Sequence, residues 1–131
     1  MLAIPVDIEY LSAQSSLLFG NASVFALYNE KDDSFDFRKN PGCGNGIKTA
    51  EALKAWDVKR VVYSFLGDGP FEQMIQDGID VYHVGKERLP LGEIVEGLKE
   101  KLFTRVDSSN ASKYLDPGTP SGDCQCGCSH D

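Results

Sequence analysis

The 131-residue chain has no apolar run approaching the roughly 20 residues that span a bilayer, no excess of basic residues and no internal repeat. The first absence excludes a membrane-spanning helix. Thirteen Lys and Arg face 20 Asp and Glu, a net charge of -7. Nucleic-acid binding rests on cations that neutralise phosphates, so it is not expected of this surface. Residues Met1 to Asp7 hold neither a basic stretch nor a long apolar one, so no secretory signal is read there. A cytoplasmic location is expected, where thiols stay reduced and clustered cysteines more often bind metal or do redox chemistry than form structural disulfides. Histidine is scarce, with two residues, and the paired C-x₂-C motifs of a structural zinc ribbon are missing.

Cysteine is scarce too, but three of the four are crowded into Cys124-Gln125-Cys126-Gly127-Cys128-Ser129-His130-Asp131. Nothing in that octapeptide is apolar enough to need burial, so packing does not explain it. Thiolates are soft ligands for Cu(I), Zn and iron–sulfur iron. Cys124, Cys126 and Cys128, with His130 as a weaker fourth donor, are the candidate metal ligands. The alternative is a terminal segment that takes up metal adventitiously.

The fourth cysteine, Cys43, lies in a glycine-rich loop, Asn40-Pro41-Gly42-Cys43-Gly44-Asn45-Gly46, ahead of a predicted helix. Flanking glycines let the backbone approach a ligand, and the helix start favours a thiolate or an anionic cluster. A small residue filling a tight turn would look the same.

The remaining pattern predicts strands over Leu2–Val6, Ser23–Tyr28 and Ser34–Arg38, the last two as a hairpin. A helix is expected over Ile47–Trp56 and a central strand over Arg60–Phe65. Gly67-Asp68-Gly69-Pro70 opens a short helix with Pro at an early position, which ends at Gly78. A strand over Ile79–Val84 and an amphipathic helix over Leu91–Phe103 follow. The order β-β-β-α-β-α-β-α implies a mixed five-stranded sheet in an α/β domain over residues 1–103. Residues 104–131, rich in Ser, Asn, Asp, Pro and Gly, are expected to form a flexible tail.

Gly67, Asp68 and Gly69 make a strand-to-helix turn of the kind whose N–H groups cradle anions, with a plain turn capped by Asp68 as the alternative. Ligands of open α/β sheets bind at strand carboxyl ends beside a change in strand order, and Asp7 is expected to sit next to this turn. His83, at a strand end, reads as a partly buried histidine, and Trp56, Phe71 and Tyr82 as core residues.

Four segments carry a family resemblance. They are Ala3-Ile4-Pro5-Val6-Asp7, Leu18-Phe19-Gly20-Asn21-Ala22-Ser23-Val24-Phe25, Asn40-Pro41-Gly42, and Leu66-Gly67-Asp68-Gly69-Pro70-Phe71 followed by Asp77-Gly78-Ile79-Asp80-Val81-Tyr82. In this order and spacing the chain resembles the dinitrogenase iron–molybdenum cofactor-binding family, related to nitrogenase-cofactor biosynthesis and carrier proteins. The resemblance implies a ribonuclease-H-like three-layer fold and binding of a metal–sulfur cluster at strand-end loops, without catalysis. Many members carry a basic residue where this chain has Asn21, and histidines around the loop that here holds Cys43.

The expectation is a non-catalytic carrier or binder of an iron–sulfur or heterometal–sulfur cluster, with Cys43 and Gly67–Gly69 forming a site that the tail cysteines complete or supply. The implied partners are a cluster donor or acceptor protein, and neither nucleic acid nor membrane. The main alternative is a thiol-redox or sulfur-carrier protein using the terminal cysteines. A hydrolase with a carboxylate cluster of Asp7, Glu51 and Asp68 is the enzymatic alternative, opposed by the acidic charge.

Overall fold

The structure, a computed structural model, describes residues 1–10, 13–17, 19–85 and 87–115. Its centre is β1 (Leu2–Val6), five residues that are all buried, as a strand covered on both faces requires. The hairpin of β2 (Val24–Asn29) and β3 (Ser34–Lys39) is antiparallel from Val24 opposite Lys39 to Asn29 opposite Ser34. Helix α1 (Gly46–Ala55) leads to β4 (Arg60–Tyr63), which pairs parallel with β1. Helix α2 (Asp68–Gln76) leads to β5 (Asp80–His83), parallel to β4. Helix α3 (Leu91–Lys99), β6 (Thr104–Val106) and a single helical turn, α4 (Ala111–Tyr114), follow.

The strand order is β3-β2-β1-β4-β5-β6, so the mixed sheet has six strands rather than the five expected. The extra strand, β6, lies antiparallel on β5 with Tyr82 opposite Arg105. The chain expected to leave the fold at Thr104 thus contributes a sheet edge. Only Val106 of its three residues is buried, and one apolar side chain in a polar run leaves no alternation to read. Beyond it, Tyr114 and Leu115 pack on the core, and the His83 ring sits between those of Tyr63 and Tyr114, at 5.2 and 5.3 Å.

Side chains alternate between two apolar layers, as the period of two along a strand dictates. Ala3, Phe25, Leu27, Val61, Tyr63 and Val81 pack against Ala50 and Leu53 of α1 and Phe71 and Met74 of α2. Leu2, Ile4, Val6, Ala26 and Val62 face Leu91, Ile94 and Val95 of α3 on the other side. Trp56 lies at the edge of the first layer, against Phe25, with the Arg38 guanidinium over its ring.

Helix α3 ends at Lys99, four residues before the expected end. The reversal is a backbone motif: Lys101 takes φ +58°, its N–H bonds Leu98 O (3.2 Å), and Leu102 N–H bonds Gly97 O (2.9 Å). Phe103 then folds back over Gly97, where a Cβ would lie 2.5 Å from the ring. The apolar period continues past the helix because Phe103 still packs on its layer.

Candidate functional site

Strands β1, β3, β4 and β5 all run toward the same end of the sheet, so the loops that follow them, the β1–β2 connection among them, gather there. A cleft of about 200 Å³ opens at this end. Its walls are Phe19, Gly20 and Asn21 before β2, Gly46 at the start of α1, and Phe65, Leu66, Gly67 and Pro70 around the start of α2. Two helix N-termini therefore meet at one small cavity. The first-turn N–H groups of a helix have no carbonyl within that helix to bond, and the dipole there favours negative charge.

Glycine makes this convergence possible. A Cβ on Gly46 would lie 2.4 Å from Pro70 Cγ, and one on Gly20 would lie 2.9 Å from the Gly46 Cα. At the start of α1, Asn45 caps the helix by accepting from Lys48 N–H at 3.0 Å. At the start of α2 the cap position is Gly67, which offers no side chain. The alternative reading, a turn capped by Asp68, finds no side-chain cap hydrogen bond. Pro70 has no N–H and Phe71 N–H bonds Gly67 O at 3.3 Å, so the first-turn donors of α2 are the N–H groups of Asp68 and Gly69.

The loop carrying Cys43 is fixed by a buried polar cluster. Asn40 Nδ2 donates to Ala22 O and to Thr49 Oγ1, both at 2.9 Å, while Asn40 Oδ1 accepts from Gly42 N–H at 2.9 Å. Thr49 Oγ1 in turn donates within reach of Gly42 O (3.1 Å) and Asn45 O (2.9 Å). Gly44 N–H bonds Gly20 O at 2.9 Å, tying the loop to the one before β2. Neither Asn40 nor Thr49 nor Gly20 stood out as a site residue in the sequence. The Asn-Pro-Gly triplet carried the signal, since an Asn side chain that accepts from the N–H two residues on makes an Asx turn.

The expected site residues separate. Gly67 lines the cleft, whereas Gly69 is not among its walls and faces α1, with Ile47 Cδ1 3.4 Å from where a Cβ would be. The Cys43 sulfur is 3.5 Å from the carbonyl of Asn21, a cleft residue. It is disulfide-bonded. Asp68 instead lines a groove on the other side of α2, with Phe71, Glu72 and Ile75. Asp7 is also placed elsewhere: it pairs with Arg88 Nη2 at 2.7 Å and borders a pocket with Ile8 and Tyr10. Among the described residues no group of three or more His, Cys, Asp or Glu is arranged to hold a metal ion. Cys124, Cys126, Cys128 and His130 lie outside the described residues.

The backbone N–H groups at the two helix starts are donors that suit an anionic ligand. Among the described residues, no helix is long and apolar enough to cross a membrane.

The glycine-lined cleft lies at the strand ends of a mixed α/β sheet, the position at which open α/β sheets bind ligands. The chain belongs to the dinitrogenase iron–molybdenum cofactor family, whose model matches residues 1–101. Its fold is similar to that of the apo form of the orange protein from Desulfovibrio gigas (TM-score 0.73, 18% identity, covering 80% of this chain and 91% of that one). It is also similar to a putative NifB protein from Thermotoga, solved by NMR (TM-score 0.68, 24% identity, covering 79% and 90%). No curated protein gives a significant match.

Proposed function

We propose that the chain binds and carries a metal–sulfur cluster, of iron–sulfur or molybdenum–iron–sulfur type, as a non-catalytic cytoplasmic protein of cluster assembly or storage. The observation that carries this reading is the meeting of the α1 and α2 N-termini at the cleft of Gly20, Asn21, Gly46 and Gly67. Clusters with bridging sulfide are anionic, and N–H groups are the donors that bridging sulfur accepts from. Family membership supports the cargo class, and the order of sheet and helices supports a ribonuclease-H-like classification of the fold.

In this reading the backbone at the cleft holds the cluster by hydrogen bonds, Cys43 offers a thiolate once reduced, and Cys124, Cys126, Cys128 and His130 supply further ligands. The partners are proteins that donate or accept the cluster. The disulfide at Cys43 favours a second reading, thiol redox or sulfur transfer by Cys43 and the terminal cysteines.

The test is anaerobic reconstitution of the reduced full chain with iron and sulfide, compared with Cys43→Ser and with the triple variant Cys124→Ser/Cys126→Ser/Cys128→Ser. Loading should fall in both. If only the triple variant loses metal, the cleft is not the site. If no variant and not the parent takes up iron, while all but the serine variants cycle between thiol and disulfide, the second reading replaces the first.

A further inference from the structure

The α3 side of the sheet carries a feature that the cleft does not use. Leu102 is 70% exposed, more than any other large apolar side chain among the described residues. The reversal after α3 accounts for it. In that motif the residue in the Leu102 position ordinarily packs on the one in the Gly97 position. Here Gly97 has no side chain, and the space above it is filled by Phe103.

Leu102 therefore stands at the edge of a groove of about 350 Å³ floored by Leu89, Gly97 and Phe103. Glu93, Glu96 and Glu100 line the same groove, spaced three and four residues apart on one face of the helix. None of the six ion pairs among the described residues involves them. The nearby Lys99 borders a different pocket, with Tyr28 and Arg60.

We propose that this groove is a docking site for a partner-protein segment in which a bulky aliphatic residue is flanked by Lys or Arg. The apolar floor and Leu102 receive the aliphatic side chain, and the three carboxylates receive the flanking cations. The same charges select against other occupants. A second copy of this chain would bring six carboxylates together, and anionic lipid or nucleic acid would be repelled. Helix α3 lies across the sheet from α1 and α2, so a partner docked there leaves the cleft open. The inference stands on the groove itself and not on what the cleft binds.

The experiment uses the full ¹⁵N-labelled chain and a synthetic amphipathic helical peptide of leucine and lysine, with its leucine–glutamate counterpart as control. Amide shifts on titration should concentrate in residues 89–103 and be absent with the control. Leu102→Ser, at an exposed position that leaves the fold intact by its spectrum, should weaken binding roughly tenfold. The triple variant Glu93→Gln/Glu96→Gln/Glu100→Gln should weaken it as well and flatten its dependence on salt. Shifts scattered over the acidic surface, or unchanged affinity in Leu102→Ser, would mean unspecific charge attraction and overturn the proposal. The cluster-loading assay does not depend on either variant, so a failure here leaves the cleft reading standing.

Discussion

Asn40 is the residue on which the Cys43 loop depends. Its amide spends both ends on Ala22, Thr49 and Gly42 at 2.9 Å in a buried setting. Removing it takes the amide away from the Ala22 carbonyl and the Gly42 N–H, and a buried polar group left unsatisfied costs about 1–3 kcal/mol. Asn40→Ala should therefore lower unfolding stability in urea by about 2 kcal/mol and loosen the loop, so that cluster loading falls with it. Thr49→Val, which removes only the hydroxyl, should cost less. Asn21 tests the sign of the charge in the cleft. Asn21→Asp adds a negative charge beside the helix N-termini and should reduce cluster loading several-fold, while Asn21→Lys should increase it. Equal loading in both would mean that the cargo is not held there as an anion.

At the scale of elements, α1, α2 and α3 end alike. Val58 N–H bonds Leu53 O, Ile79 N–H bonds Met74 O and Leu102 N–H bonds Gly97 O, each closing a Schellman turn at 2.9–3.0 Å. The residue with positive φ is Gly78 in α2 but Asp57 (+61°) and Lys101 (+58°) in the other two. Left-handed backbone costs a non-glycine residue about 1 kcal/mol. Asp57→Gly should thus raise stability by up to that amount, since the exposed pair it loses with Lys59 contributes little. Thermal unfolding checks it.

Asp77, at the carboxyl end of α2, has a side chain only 7% exposed and faces the unfavourable end of the dipole. The hydrogen bond from Gln73 (3.1 Å), then Lys54 of α1 at 3.3 Å, holds its carboxyl below the ordinary range despite burial. A folded-state pKa below the unfolded one gives stability above the unfolded value, near 3.9, that is lost as pH falls through the folded value. Asp77→Asn should be less stable than the parent at neutral pH, and the two should converge in acid, as urea unfolding at several pH values would record.

For the whole molecule, the long elements were legible because their periods are strong. Leu2–Val6 and Val24–Asn29 are runs that only a buried strand explains, and α1 and α2 fall within two residues of the expected starts. β6 was not, because three residues with one buried side chain gain their structure from β5 and not from their own pattern. The site was half legible. Glycine clusters at Gly42–Gly46 and Gly67–Gly69 marked two of the three loops, since close backbone approach needs glycine whatever the ligand. The third, around Gly20, and the separation of Asp7 and Asp68 from the cleft depend on which loops the topology brings together and on where Arg88 lies. No local sequence signal carries that.

Carriage of a metal–sulfur cluster can be read from metal and sulfide analysis with a visible absorption spectrum, on the full chain purified without oxygen. A carrier should be coloured and hold iron, or iron with a heterometal, and sulfide in stoichiometric amounts. Colourless protein that holds no metal and takes up no iron and sulfide after reduction of its thiols would rule cluster carriage out.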